Sequence, residues 1–296
     1  MTAKTAMITI AGRPNVGKST LLNALAGEKI AIVSNKPQTT RNRITAVVTR
    51  GETQFIFLDT PGFHKAKTRL GDFMVGIVKE SVAEVDAVAL VVEPIDTVGT
   101  QEQLLLEQLK QNGVPAILVI NKIDTIKKEA LLQVIARYTE AYAFGAVIPI
   151  SAKQGDGLTA LLDELEKFAQ PGPALFPEGM VTDQPEKQIV AELVREKLLV
   201  SLDREVPHGT AVEVTKFSER DDGIIDLDVT IYCEKQSHKG IIIGKNGEML
   251  KKIGQLARID IEKFMGTKVF LQTWVKVKEN WRDSQTLLRN FGYTDS

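Results

Sequence analysis

Over the first part of the chain, short apolar runs alternate with longer stretches of mixed polarity. Ala6–Ala11, Val85–Val92, Ala116–Ile120 and Val147–Ile150 are nearly continuous apolar runs, the length and character of buried strands. Ile44–Thr49 and Thr53–Leu58 are rich in β-branched and aromatic residues and are separated by Gly51-Glu52, a hairpin signal. Between these runs, Lys18–Leu25, Leu70–Ala83, Gln101–Gln111, Lys127–Ala141 and Leu158–Phe168 read as helices. Buried strands alternating with helices predict an α/β domain: a mostly parallel six-stranded sheet with helices on both faces. The hairpin is its antiparallel element.

The pattern then changes. Pro171, Gly172, Pro173, Pro177, Gly179 and Pro185 punctuate a stretch with no period, which reads as a linker over residues 171–186. Residues 1–170 are the first domain and 187–296 the second, with a C-terminal tail. In the second, Lys187–Leu202 reads as a helix, followed by strands Ala211–Phe217 and Ile225–Cys233. Ile225, Leu227, Val229, Ile231 and Cys233 share one face of the latter, which makes Cys233 a core residue. A short helix over Lys239–Ile243, a longer one over Gly247–Met265 and a strand over Lys268–Val277 complete a smaller α+β domain.

Composition narrows the class. With 37 Lys and Arg against 38 Asp and Glu, 43% hydrophobic residues and 25% charged, the 296-residue chain is globular rather than disordered. One cysteine excludes an internal disulfide, and three scattered histidines offer no zinc cluster. Met1–Lys4 does not open a secretory leader, and no apolar run approaches the roughly 20 residues of a membrane helix. The expectation is a cytosolic protein in a reducing compartment.

Gly12-Arg-Pro-Asn-Val-Gly-Lys-Ser19 lies between a strand and a helix and matches the phosphate loop. Its backbone N–H groups and the helix start suit phosphate oxygens, Lys18 the β and γ phosphates, and Ser19 a Mg²⁺ ion. The nucleotide is expected against Gly12, Arg13, Pro14, Asn15, Val16, Gly17, Lys18, Ser19 and Thr20. The loop alone does not separate an ATPase or kinase from a GTPase. Asp59-Thr-Pro-Gly62 ends a strand, where Asp59 suits Mg²⁺ through water and the Gly62 N–H the γ phosphate, with Thr60 and Pro61 between them. After the strand Ala116–Ile120 comes Asn121-Lys-Ile-Asp124. The Asp124 carboxylate suits the N1–H and N2–H₂ donors of guanine, Asn121 anchors the loop and Lys122 covers the ring. Ser151-Ala152-Lys153 offers backbone N–H to guanine O6. All four segments fall at carboxyl ends of strands, where open α/β sheets bind ligands. Each taken alone is also an ordinary strand-ending turn.

This constellation resembles the translation-factor-related class of P-loop GTPases, which implies Mg²⁺ with GTP or GDP. In that class a threonine before the second strand binds Mg²⁺ and the γ phosphate. Within Pro37-Gln-Thr-Thr-Arg-Asn-Arg43, Thr40 aligns best and Thr39 is the alternative. Phe63 stands where Ras-like proteins carry a water-orienting glutamine, so hydrolysis is expected to be slow. Related GTPases use an asparagine at the Asn15 position to hold K⁺ beside the phosphates; the alternative is that Asn15 only shapes the turn. The residues carrying hydrolysis are then Asn15, Lys18, Thr40, Asp59 and Gly62.

Gly240-Ile-Ile-Ile-Gly-Lys-Asn-Gly247, followed by an amphipathic helix, resembles the nucleic-acid-binding KH module in its type II order. The expected RNA contacts are Lys239, Gly240, Ile243, Gly244, Lys245, Asn246, Gly247, Lys251 and Lys252, a basic patch hidden by the neutral total. Asn246 stands where a second glycine is frequent. A GTPase domain joined to such a KH domain resembles the bacterial Era family over essentially the whole chain. That resemblance implies a monomer binding the 3′ end of 16S rRNA, aiding 30S assembly and associating weakly with the inner membrane face. A metabolic P-loop kinase, and a docking protein using its KH fold for protein contacts, are the competing readings.

Overall fold

The structure is a computed structural model that describes residues 3–36, 38–62, 68–83 and 85–293; Pro37 and Phe63 lie outside the described residues. The elements run β1 (Lys4–Ala11), α1 (Lys18–Ala26), β2 (Ile44–Arg50), β3 (Thr53–Asp59), α2 (Arg69–Ala83), β4 (Ala87–Val92), α3 (Thr100–Asn112), β5 (Ala116–Ile120), α4 (Lys128–Ala141), β6 (Ala146–Pro149), α5 (Leu158–Glu166) and β7 (Gln170–Pro171). Then come α6 (Glu186–Ser201), β8 (Thr210–Glu219), β9 (Ile225–Cys233), α7 (Gln236–Ile243), α8 (Glu248–Met265), β10 (Val269–Val277) and α9 (Gln285–Asn290). The chain divides into two compact units, Met1–Ala31 with Thr40–Ala66 and Met74–Asp183, and Ile32–Thr39 with Lys67–Phe73 and Gln184–Ser296. Among the described residues no helix is long and apolar enough to cross a membrane.

In the first unit the sheet order is β2-β3-β1-β4-β5-β6, parallel except for β2, which pairs antiparallel with β3 from Ile44↔Asp59 to Arg50↔Thr53. Strands β3, β4 and β5 are buried throughout, as expected for a sheet covered on both sides. Alternate residues feed two cores. Ala6, Ile8, Phe55, Ala89 and Val119 pack with Leu21 and Leu22 of α1 and Leu161 and Leu165 of α5. Val88, Leu90, Leu118 and Ile120 pack with Leu105 and Leu109 of α3 and Val134 and Tyr138 of α4.

Two features depart from the sequence expectation. To the six strands foreseen the structure adds β7, which pairs antiparallel with Lys4 and Thr5 of β1, ahead of Ile8, where β4 takes over that edge. The start of the linker is also not free chain. The Gln54 side chain accepts from the N–H of Leu175 (2.8 Å) and Phe176 (3.0 Å) and donates to the Phe176 carbonyl (2.9 Å). Val47 N–H donates to the Val181 carbonyl (2.9 Å) and the Thr182 hydroxyl to the Thr45 carbonyl (2.7 Å). Backbone groups that lack a periodic partner are satisfied here by β2 and one side-chain amide.

In the second unit β10, β9 and β8 form a three-stranded sheet, with β10 parallel and β8 antiparallel to β9. Ile225, Leu227, Val229, Ile231 and Cys233 face Ile189, Leu193 and Leu198 of α6 and Ile253, Ala257 and Ile261 of α8 in one core. The C-terminal tail carries a helix the sequence reading did not anticipate. Ser284 caps α9, accepting from Leu287 N–H (3.4 Å), and fully buried Trp281 donates Nε1–H to the Gly209 carbonyl (2.9 Å). Trp281 stacks on Tyr293 and meets Phe291 edge to face, and Phe291 meets Tyr232 of β9.

Ile253 is fully buried at the centre of this core. Ile253→Ala is expected to destabilise the second unit by about 2–5 kcal/mol. Urea unfolding followed by tryptophan fluorescence checks this, because both tryptophans, Trp274 and Trp281, belong to that unit.

Candidate nucleotide and nucleic-acid sites

The parallel strands of the first unit end together, and the motif segments follow those ends. β1 releases the chain into Gly12–Gly17, which closes on the start of α1. Gly17 sits at φ 100°, and a Cβ there would lie 2.3 Å from the Asn121 amide nitrogen, so only glycine serves. Lys18 is buried, and its Nζ donates to the Gly12 (3.0 Å) and Arg13 (3.1 Å) carbonyls. Burial lowers its pKa from the ordinary 10.5 to about 8, with the Asp59 charge acting the other way. Asp59 at the end of β3 is fully buried, and burial pushes its carboxyl up against the pull of Lys18 and the Ser19 and Thr40 hydroxyls. Both shifts share one physical cause, the loss of water around a charge.

Three oxygen-bearing side chains converge beside Lys18. Ser19 Oγ lies 2.9 Å from Thr40 Oγ1 and donates to Asp59 Oδ2 (2.8 Å), and Thr40 Oγ1 donates to the same oxygen (3.4 Å). Asp59 Oδ1 is buried without a hydrogen-bond partner. Hard oxygen donors with one unsatisfied carboxylate oxygen fit a Mg²⁺ ion. Of the two threonines considered, the structure brings Thr40 to this cluster. Thr39 instead donates to the Lys36 carbonyl (2.6 Å).

The loop after β5 is tied to the phosphate loop. Buried Asn121 donates from Nδ2 to the Val16 carbonyl (2.9 Å), and its Oδ1 accepts from Ala152 N–H (3.0 Å). Asp124 is exposed, and its Oδ1 accepts from Ser151 Oγ (2.7 Å). Lys122, at φ 63°, reaches back to donate to the Asn15 carbonyl (2.7 Å).

Sequence reasoning missed Glu93 and Glu102. Glu93, just past β4, pairs with Lys122 (2.5 Å) and with Arg13 (2.6 Å), whose Nε also meets buried Glu102 of α3 (2.9 Å). Thus Arg13, expected only to line the nucleotide, is held by two carboxylates. The available signal was an acidic residue following a central strand, at the same edge as the motifs.

In the second unit, α7 ends at Gly244 (φ 73°), where an added Cβ would come within 2.7 Å of Met249 Cβ. Asn246 adopts φ 51°, a left-handed conformation asparagine accepts, so its departure from glycine is accommodated. Lys245, Asn246, Lys251, Lys252 and Arg258 are exposed on and beyond this turn, while Lys239 and Ile243 are partly buried.

Comparison with known proteins agrees with both halves. The family model described as "50S ribosome-binding GTPase" matches residues 7–122, and the KH domain model matches residues 205–282. GTPase Era of Ruminiclostridium cellulolyticum is 53% identical over 99% of this chain and 98% of its own length. This chain belongs to the Era family of GTPases. GTPase Era of Alkaliphilus oremlandii is 52% identical over 99% of the chain and all of its own length. Among solved structures, an Aquifex aeolicus Era variant bound to GDP.AlF4− superposes with a TM-score of 0.95 at 37% identity, covering 99% of this chain and 100% of that one. An Era complex with MgGDPNP and nucleotides 1506–1542 of 16S ribosomal RNA matches with the same score, identity and coverage. Like its Era relatives, the chain is a GTPase with a C-terminal KH domain.

Because Lys18 holds its proton less tightly in the folded protein than in the unfolded chain, the unfolded state carries the extra proton between about 8 and 10.5. Nucleotide-free protein is therefore expected to gain up to about 3 kcal/mol as the pH climbs through that window. Urea titrations at stepped pH values check this, and Lys18→Met is expected to flatten the slope.

Proposed function

We propose that this protein is a GTP-controlled switch that binds the 3′ end of 16S rRNA through its KH loop and assists assembly of the 30S subunit. The observation that carries the reading is the meeting of Lys18, Ser19, Thr40 and Asp59 at the sheet edge, in a chain that also presents an exposed, basic G-x-x-G turn. The Era complex with MgGDPNP and a 16S rRNA segment supports extending both ligands to this chain.

In this reading the N–H groups of residues 12–19 surround the phosphates and Lys18 adds its charge there. Ser19, Thr40 and Asp59 hold Mg²⁺, which supplies positive charge to the phosphate oxygens of the nucleotide. Thr40 links the γ phosphate to the segment that precedes it, and Gly62 N–H faces the same phosphate. Asp124 takes the guanine N1–H and N2–H₂, Asn121 holds the loop in place and the Lys122 stem covers the ring. With phenylalanine at position 63, the attacking water is oriented by backbone groups, and turnover is slow. In keeping with the family resemblance, this reading takes the protein to act in the cytosol, with weak peripheral contact to the inner membrane face.

Asp124→Asn replaces one acceptor oxygen of the carboxylate with an amide donor. It is expected to lower GTP affinity and shift preference toward xanthosine nucleotides; competition binding with GTP and XTP measures it, and unaltered discrimination would remove Asp124 from base recognition. Lys245→Asp with Asn246→Asp places two carboxylates where RNA phosphates are expected. Filter binding with a 3′-terminal 16S rRNA fragment is expected to fall by at least tenfold, with a shallower salt dependence and unchanged GTP affinity. Normal RNA binding by this variant would instead favour a KH fold used for protein contacts.

A further inference from the structure

Helix α6 holds a stretch of chain that comes long before it in sequence. Segment Ile32–Thr39 belongs to the second unit, while the next residue, Thr40, belongs to the first. The segment is tied down along its length. The Glu196 carboxylate accepts from Val33 N–H (2.9 Å). Lys36 donates to the Leu202 carbonyl, just past the end of α6, and pairs with Asp203 (3.2 Å). Arg195 donates through Nη2 to the Thr39 carbonyl and makes a longer contact through Nη1 with the Gln38 carbonyl (3.5 Å). Gln38 itself sits at φ 59°, a conformation that a residue with a side chain keeps only where its surroundings impose it.

Arg195 is fully buried, and Glu192, one turn earlier on α6, meets its charge through Nε (2.7 Å) and Nη2 (2.5 Å). Two bonds to one carboxylate fix the plane of the guanidinium, and so fix where its other N–H groups point. Burying a guanidinium costs free energy, and what this one gains besides Glu192 is a hold on the backbone just before Thr40. That hold reaches Thr40 through covalent geometry. The Thr39 carbonyl and the Thr40 N and Cα lie in one planar peptide unit. Holding the carbonyl oxygen therefore restricts where Thr40 Cα can lie, and its β-branched side chain has few rotamers to choose from. Thr40 Oγ1 stands 2.9 Å from Ser19 Oγ and 3.4 Å from Asp59 Oδ2. A segment ordered beforehand loses less entropy when Thr40 meets an ion or a phosphate.

We propose that Arg195 is a positioning residue for the GTPase reaction: by clamping the Thr39 carbonyl it presents Thr40 to Mg²⁺ and the γ phosphate. This rests on the reading of Thr40 given above. The test is a double-mutant cycle in the full-length protein, with Arg195→Met, Thr40→Ala and the two combined. It is read by titration with GDPNP and with GDP at stepped Mg²⁺, and by GTP turnover. Glu192 is partly exposed, so its carboxylate can take up water once Arg195 is gone. Arg195→Met is expected to lower GDPNP affinity and kcat about tenfold, the scale of one charge-assisted hydrogen bond, and to raise the Mg²⁺ concentration required. GDP has no γ phosphate for Thr40 to meet, so its affinity is expected to hold. In the Thr40→Ala background the same change is expected to cost less than about twofold, because the hydroxyl being positioned is absent. Arg195→Lys keeps the charge without the planar fork and is expected to fall between. A merely structural role would weaken GDP and GDPNP alike, or cost the same in both backgrounds. Either result overturns the proposal, as does unchanged GDPNP binding by a folded Arg195→Met. Should Arg195→Met not fold, Lys36→Met, which loosens the same segment at another tie, takes its place in the cycle. A severalfold loss that vanishes with Thr40→Ala then supports the clamp, and no loss, or one that persists, overturns it. If Thr40→Ala alone leaves GDPNP and Mg²⁺ binding untouched, the reading of Thr40 falls, and the positioning role with it.

Discussion

The nucleotide site hangs on one buried amide. Asn121 reaches from the end of β5 to the Val16 carbonyl in the phosphate loop and accepts from Ala152 beyond β6, while its own N–H is held by the Val92 carbonyl at the end of β4. Three loops are thereby fixed by one residue whose polar groups cannot turn to water without loss. Gly17 has to be glycine because that amide stands where its side chain would be. Glu93 adds a second tie, drawing Arg13 and Lys122 together across the same edge. Loops that each carry only a fragment of recognition are thus set at fixed spacing before any ligand contributes, which lowers the ordering entropy that binding must overcome.

Much of this was legible because it follows from local periodicity. Apolar runs of strand length located the ends of β1, β3, β5 and β6, and the motif residues sit at those ends. Thr40, preferred over Thr39 on alignment, does lie beside Ser19 and Asp59. The G-x-x-G turn and the helix behind it were equally visible, since glycine spacing and amphipathic period are local signals.

What escaped depends on partners distant in sequence. The place of Glu93 after a central strand is a hint in the sequence, but the partners of Glu93 and Glu102 appear only once Arg13 is brought against both. The linker's order depends on Gln54, a single polar residue inside a buried strand whose amide serves residues 175 and 176. Helix α9 is too short for a periodic signature, and its stability comes from Trp281, Phe291 and Tyr293 packing together. β7 has two residues and exists because β1 begins before its other neighbour does.

Cys233 ends β9 opposite Val277 of β10, fully buried, and burial raises its thiol above the ordinary value. Since the thiolate is the reactive species, the folded chain gives oxidants and alkylating reagents almost nothing to attack. As the sole cysteine, it makes the protein a self-reporting clock. The rate at which a thiol reagent consumes it reads the frequency with which the β9–β10 pair opens, without any label being introduced.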